Sequence, residues 1–187
     1  HLDPVFLAVM DEIRDMLRAA LRTTNELTFP MSGTGSSGME TCVVNLVEPG
    51  DRVIVGVNGV FGTRLAEVAR RAGGEVVEVQ GEWGRALSGD ALREAAGGKP
   101  AKLVCIVHAE TSTGVLQEIA PIKEVADELG AMLLMDAVTS LGGHDVRLDD
   151  WGVDACYSGT QKCLSCPPGL SPISFSPRAQ EALAGRK

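Results

Sequence analysis

The sequence predicts an α/β domain built on a mainly parallel sheet flanked by helices. Three observations carry that prediction. Short β-branched runs alternate with stretches of helical period along most of the chain. Two of the runs, at 103–107 and 132–135, are apolar almost without interruption, as parallel strands buried on both faces must be. The chain has 187 residues, 44% hydrophobic and 22% charged, enough to enclose a core of its own.

Taken in order, residues 4–22 place Phe6, Val9, Met10, Ile13, Met16, Leu17 and Leu21 at helical spacing behind Pro4, a first-turn residue. Residues 28–32 read as a short extended segment. A glycine-rich turn at 33–38 and a helix from about 39 to 47 follow, closed by Pro49-Gly50-Asp51. Strands are expected at 52–57, 75–79, 102–107, 131–135, 154–157 and 171–175, with helices at 60–72, 89–96 and 119–129. Alternation of this kind gives a parallel sheet whose ligands collect at the C-terminal ends of the strands. The loops beginning near Ser32, Asn58, His108, Asp136 and Ser158 are therefore the ones to inspect.

Composition narrows the function. Seventeen basic against 25 acidic residues leave a net charge of −8, which repels nucleic acid in the absence of a basic patch. No apolar run approaches the roughly 18–20 residues that span a bilayer, and no signal-peptide pattern opens the chain, so a soluble protein without a membrane partner is expected. Five cysteines, an odd number with three inside apolar runs, point to a reducing, cytoplasmic setting. The chain opens on His1-Leu2-Asp3-Pro4 as if in mid-sequence, so a targeting segment could precede it.

Ser32-Gly33-Thr34-Gly35-Ser36-Ser37-Gly38 has GxGxxG spacing between an extended segment and a helix. No acidic residue follows at the end of a second strand to hold a ribose, so a general anion site fits better than a dinucleotide site. Backbone amides at a helix start, joined by the hydroxyls of Thr34, Ser36 and Ser37, suit a phosphate. A plain structural turn is the remaining alternative.

Asp136 follows a buried strand, where a carboxylate needs a cation, donors, or a role in capping a short helix near 138–141. Lys162 follows the next strand in a small-residue loop, flanked by Ser158, Gly159, Thr160 and Gln161, and is followed by Pro167-Pro168-Gly169. It is either a solvated surface lysine or an amine perturbed enough to attack an aldehyde. A strand-end aspartate to keep a pyridine nitrogen protonated, a strand-end lysine and a glycine turn for phosphate together meet the needs of pyridoxal phosphate.

Here the sequence resembles the fold-type I pyridoxal-phosphate enzymes, and among them the class V aminotransferases of the alanine–glyoxylate and serine–glyoxylate (serine–pyruvate) group. The resemblance runs over essentially the whole chain. It rests on Ser32-Gly33-Thr34-Gly35, Val47-Glu48-Pro49-Gly50-Asp51, Asn58-Gly59-Val60-Phe61-Gly62, His108-Ala109-Glu110-Thr111-Ser112-Thr113-Gly114, Asp136-Ala137-Val138-Thr139-Ser140-Leu141-Gly142-Gly143 and Tyr157-Ser158-Gly159-Thr160-Gln161-Lys162. It implies a pyridoxal 5'-phosphate-binding large domain over residues 1–187, incomplete at both ends and without the C-terminal small domain.

The resemblance also implies roles. Lys162 would form the Schiff base and then act as general acid and base, and Asp136 would pair with the pyridinium nitrogen. Val138 would pack on the ring face opposite a stack from Phe61, at a position where some relatives carry tryptophan. Thr111 would bond the ring hydroxyl, while Thr34, Gly35, Ser36 and Gln161 would hold the phosphate. The implied reaction moves an amino group from a small amino acid, alanine or serine, to a small 2-oxo acid such as glyoxylate or pyruvate, in a homodimer when full-length.

A desulfurase or lyase of the same fold is an alternative, although in desulfurases a histidine directly precedes the lysine and here that residue is Gln161. A truncated or inactive homologue is another, because the resemblance puts the substrate-carboxylate arginine and the second subunit's phosphate contacts in a C-terminal part outside this sequence. The isolated chain is accordingly expected to transaminate poorly. Cys163-x-x-Cys166 has redox or zinc spacing, but the other cysteines lie on separate elements and no metal site is expected. His108 reads equally as a structural or a participating residue. Trp83 and Trp151 are expected in loops as cap or interface residues, and nothing in the sequence separates Arg64 and Arg147 from surface charges.

Overall fold

The computed structural model describes residues 2–186, so His1 and Lys187, the outermost residues of the expected domain, lie outside the described residues. In chain order the elements are α1 (Pro4–Leu21), β1 (Leu27–Ser32), α2 (Gly35–Leu46), β2 (Arg52–Val57), α3 (Val60–Arg71), β3 (Glu75–Gln80), α4 (Gly89–Ala96), β4 (Leu103–Val107), β5 (Ala109–Glu110), β6 (Val115–Leu116), α5 (Ala120–Glu128), β7 (Met132–Asp136), β8 (Ala155–Tyr157), β9 (Leu170–Phe175) and α6 (Pro177–Ala184). Seven strands form one sheet in the order β1-β9-β8-β7-β4-β2-β3. The pairings from β8 through β7, β4 and β2 to β3 are parallel, while β9 runs antiparallel to both β8 and β1. Among the described residues, no helix is long and apolar enough to cross a membrane.

The parallel centre explains the uninterrupted apolar runs. Side chains alternate across the sheet, so Val104, Ile106, Leu133 and Met135 enter the core shared with α4 and α5. Leu103, Cys105, Met132 and Leu134 enter the opposite core, shared with α2, α3 and α6. Pro30 is tolerated in β1 because that strand is an edge, paired on one side only. In α1, Asp3 caps the N-terminus by accepting from the Val5 amide at 2.9 Å, and Pro4 opens the first turn. Its apolar stripe is largely uncovered: Val5, Phe6, Val9 and Met16 are exposed and only Leu21 is buried.

Two local expectations need correction. The glycine turn is shorter than its sequence suggests: α2 begins at Gly35, four residues before the expected Met39. Glycine and serine are poor helix formers, but here the first turn is fixed by packing. A Cβ on Gly35 would lie 2.8 Å from a Val138 methyl, and one on Gly38 would lie 2.0 Å from the Ser171 hydroxyl. The segment after Asp136 is a turn rather than a short helix; the Leu141 amide reaches the Ala137 carbonyl and the chain then leaves through Gly142 at φ +87°.

Candidate functional site

Four segments meet where the parallel strands end: the start of α2, the start of α3 after β2, the turn after β7, and the loop after β8. Eight of the nine sequence-predicted site residues line one cavity there. Thr34, Gly35 and Ser36 come from the α2 terminus, and Phe61 from the first turn of α3. Asp136 and Val138 come from the end of β7, and Gln161 and Lys162 from the loop after β8. Met39, Val107, Ala109, Thr139 and Tyr157 complete the lining.

Thr111 is the exception. It sits exposed in the turn between β5 and β6, where the Thr113 and Gly114 amides fold back onto the Glu110 carbonyl. It lines a neighbouring cavity with Gly114, Val115 and Cys163; the two cavities share Ala109 and Thr139.

Asp136 ends β7 with 4% of its surface exposed. Among the described residues its carboxylate has two donors and no cation: the Val138 amide reaches Oδ1 at 2.8 Å and the Tyr157 hydroxyl reaches Oδ2 at 2.7 Å. Burial pushes its pKa up to about 6, against the pull of these two bonds and with a small push from Glu110. The carboxylate thus caps the turn it precedes and still has acceptor capacity for a group in the cavity.

The anion-binding end is built from the α2 terminus. Thr34 occupies the N-cap position without spending its side chain on a capping bond, and its carbonyl takes the Ser37 and Gly38 amides. Gly33, at φ +134°, turns the chain into this position, and its amide donates to the Gly169 carbonyl, fastening the glycine turn to the far end of the lysine loop. That loop is itself braced. Thr160 donates its hydroxyl to the Pro167 and Leu170 carbonyls and accepts the Cys166 amide, while the Ser165 amide closes on the Lys162 carbonyl. Lys162 stands exposed at the cavity rim within this frame.

Several residues acquire roles that local sequence pattern did not reveal. Glu110, only 1% exposed, receives the Phe61 and Gly62 amides on Oε2 and the Ser112 amide and hydroxyl on Oε1. The Ser112 hydroxyl in turn accepts the Val60 amide. The first turn of α3 is therefore capped from a distant loop, because Gly59 at its N-cap offers no side chain. Arg64 separates from the ordinary surface charges by donating to the Ser36 hydroxyl at 3.1 Å, whereas Arg147 pairs with Asp145 and Asp150. His108 is buried, packs edge-on against Trp151 and lies outside the cavity that holds Asp136. Cys42, Cys105 and Cys156 are buried thiols, while Cys163 and Cys166 are exposed in the lysine loop. Trp83 is exposed.

Comparison with known proteins identifies the family. The family model for Aminotransferase class-V matches residues 1–186. The chain therefore belongs to the class V aminotransferase family. It is 39% identical to the (S)-ureidoglycine--glyoxylate transaminase of Bacillus subtilis (strain 168), covering 100% of this chain and 45% of that protein. It is 40% identical to the alanine--glyoxylate aminotransferase of Drosophila melanogaster, with 100% and 48% covered. A crystal structure of alanine--glyoxylate aminotransferase from Nostoc sp. superposes with a TM-score of 0.97 at 48% identity, over 100% of this chain and 50% of that one. The chain thus spans about half the length of the relatives it matches. A cysteine desulfurase from Thermococcus onnurineus NA1 shares the fold alone, with a TM-score of 0.79 at 17% identity.

Proposed function

We propose that this chain is the cofactor-holding part of a pyridoxal-phosphate aminotransferase that passes an amino group from a small amino acid to a small 2-oxo acid, with glyoxylate the favoured acceptor. The observation that carries this reading is the convergence on one cavity of a buried strand-end carboxylate, a lysine and an uncapped helix N-terminus. The residues fit the cofactor. Thr34, Gly35, Ser36 and Gln161 offer amides, hydroxyls and an amide side chain to its phosphate. Asp136 offers an acceptor to its ring nitrogen, and Phe61 and Val138 offer apolar surface to its ring. Thr111, exposed in the adjoining cavity, fits a contact to the ring hydroxyl less well.

When bound, pyridoxal phosphate supplies the electron sink that stabilises negative charge on the substrate carbon. The rest falls to side chains of this chain. Lys162 Nζ would hold the cofactor's aldehyde and would move the proton at the substrate's α-carbon. Asp136 holds the ring nitrogen's proton in place, and the α2 terminus holds the phosphate against rotation.

Relatives named for alanine, ureidoglycine and aspartate as donors share glyoxylate as acceptor. That pattern supports the acceptor more firmly than alanine or serine as the donor. Gln161, at the position where desulfurases carry histidine, favours transamination over sulfur removal. As the chain spans only about half of its relatives, the two subunits of a homodimer and a second domain would complete the site.

The test is borohydride reduction of the complete protein loaded with cofactor, followed by peptide mapping and a donor screen against glyoxylate and pyruvate. Label on the peptide containing Lys162 and turnover with glyoxylate are expected. Label on another lysine, or no amino transfer from any donor, overturns the reading.

A further inference from the structure

Tyr157 is the single tyrosine of the sequence and is completely buried. In the parallel pairing of β7 with β8 it stands opposite Asp136, so the two side chains leave neighbouring strands at the same level. Its ring packs in the core that contains Met39, Cys42, Leu134 and Ile173. Its Cβ lies 3.1 Å from where a Cβ on Gly38 would fall, so helix α2 closes over it. A phenylalanine would fill that space without burying a hydroxyl. The hydroxyl makes its bond to Asp136 Oδ2 at 2.7 Å.

We propose that Tyr157 is the positioning residue of this site: its hydroxyl fixes Oδ2 of Asp136 as the Val138 amide fixes Oδ1, so that the buried carboxylate stays ionised and presents its remaining lone pairs to a protonated ring nitrogen. This inference rests on the role assigned to Asp136 above. Both carboxylate oxygens already face donors within the protein. A proton added to either oxygen would compete with one of those bonds, so the pair favours the ionised form.

The other groups around Asp136 work the opposite way. Glu110 from β5 adds like charge, and burial raises the carboxyl. The Cys42 thiol from α2 and the Cys156 thiol from β8 are pushed up by burial and stay neutral. Tyr157 itself is driven well above the ordinary phenol range, first by burial and then by Asp136, so it remains a donor at every pH the protein meets.

The experiment follows the Asp136 carboxyl directly. In the complete, cofactor-free protein with carboxyl-labelled aspartate, the carbon resonance lost in Asp136→Asn is titrated in wild type, in Tyr157→Phe, and with 3,5-difluorotyrosine placed at 157. The expected midpoint rises by a pH unit or more in Tyr157→Phe and falls with the more acidic fluorinated phenol, which donates more strongly. Pyridoxal phosphate should bind Tyr157→Phe about twofold more weakly at pH 7 for a rise of one unit and about tenfold for a rise of two, and recover toward wild type as the pH is raised past the new midpoint.

Should the phenylalanine variant fail to fold, the fluorinated protein still gives a signed answer. A midpoint unmoved by fluorination or by removal of the hydroxyl overturns the proposal. If the titrations shift as expected but Asp136→Asn binds the cofactor as tightly as wild type, the role of Asp136 has failed. The tyrosine is then reduced to a core hydrogen bond, and the proposal falls with that role.

Discussion

The Glu110 carboxylate holds Phe61 by its backbone: Oε2 accepts the Phe61 amide at 3.0 Å and the following Gly62 amide at 3.1 Å, across 49 residues of sequence. An acid with four donors on two oxygens tolerates no substitute that brings a donor of its own. Glu110→Gln points an NH2 group at amides that are themselves donors. It should destabilise the fold by about 1–3 kcal/mol, the cost of buried donors left unpaired. Urea unfolding should show the loss in the midpoint with the slope unchanged, and cofactor affinity should fall with it because Phe61 is released.

Gly38→Ala tests the closeness of α2 to the sheet. The added methyl would sit 2.0 Å from the Ser171 hydroxyl and 3.1 Å from Tyr157 Cβ. The Ser171 hydroxyl is bonded to the Ser158 carbonyl at 2.6 Å and cannot turn away freely. A cost of roughly 1–3 kcal/mol is expected from overpacking. Pairing the change with Ser171→Gly should recover part of it, measured as a thermal-midpoint double-mutant cycle.

Asp136 gives the cofactor-free protein a signature on the acidic side. Its folded pKa of about 6 lies above the ~3.9 of an unfolded aspartate. Between those values the folded chain holds a proton that the unfolded chain has released. The stability this contributes is therefore fully present below about pH 4 and is lost as the pH rises through 6, a swing of roughly 2–3 kcal/mol. Denaturation at pH 4.5, 5.5 and 7 should show Asp136→Asn gaining on wild type as the pH rises.

His108 acts in the opposite direction. Burial, assisted by His144, lowers it to about 4, and its Nδ1 has no partner among the described residues. The folded chain keeps it neutral while an unfolded histidine protonates near ~6.5. Its contribution is present above about pH 6.5 and disappears as the pH falls toward 4, roughly 3 kcal/mol. His108→Gln should flatten that limb of the stability profile, and the same titration in the Asp136→Asn background should leave the His108 limb in place.

These four residues mark the border of what the sequence could reveal. Strand β2 was legible to the residue, and β4 and β7 to within one, because burial on both faces writes itself as an unbroken apolar run. Asp136 was legible as a polar residue closing an apolar strand, and Lys162 as a lysine in the small-residue loop that follows β8. The start of α2 was misplaced because local propensity opposes Gly35-Ser36-Ser37-Gly38. What decides it is contact with Val138 and Ser171, more than 100 residues away. Tyr157 and Glu110 carried no local signal: the partner of one is 21 residues distant, and that of the other 49. Thr111 was assigned through resemblance alone, and it lies exposed in the cavity that adjoins the one lined by Asp136 and Lys162.

The antiparallel pairing of β1 with β9 joins Leu27 to Phe175 and Ser32 to Leu170, and its consequence is temporal. Those partners are separated by most of the chain, so their association carries the loop-closure entropy that slows folding of high-contact-order topologies. Beside this pairing the Gly33 amide donates to the Gly169 carbonyl, tying the glycine turn to the far end of the lysine loop. During synthesis, then, the strands that hold Phe61 and Asp136 are complete while the phosphate end still has nothing to close against. A ribosome-bound chain should first acquire affinity for pyridoxal phosphate when Leu170–Phe175 has emerged, all at once rather than in stages.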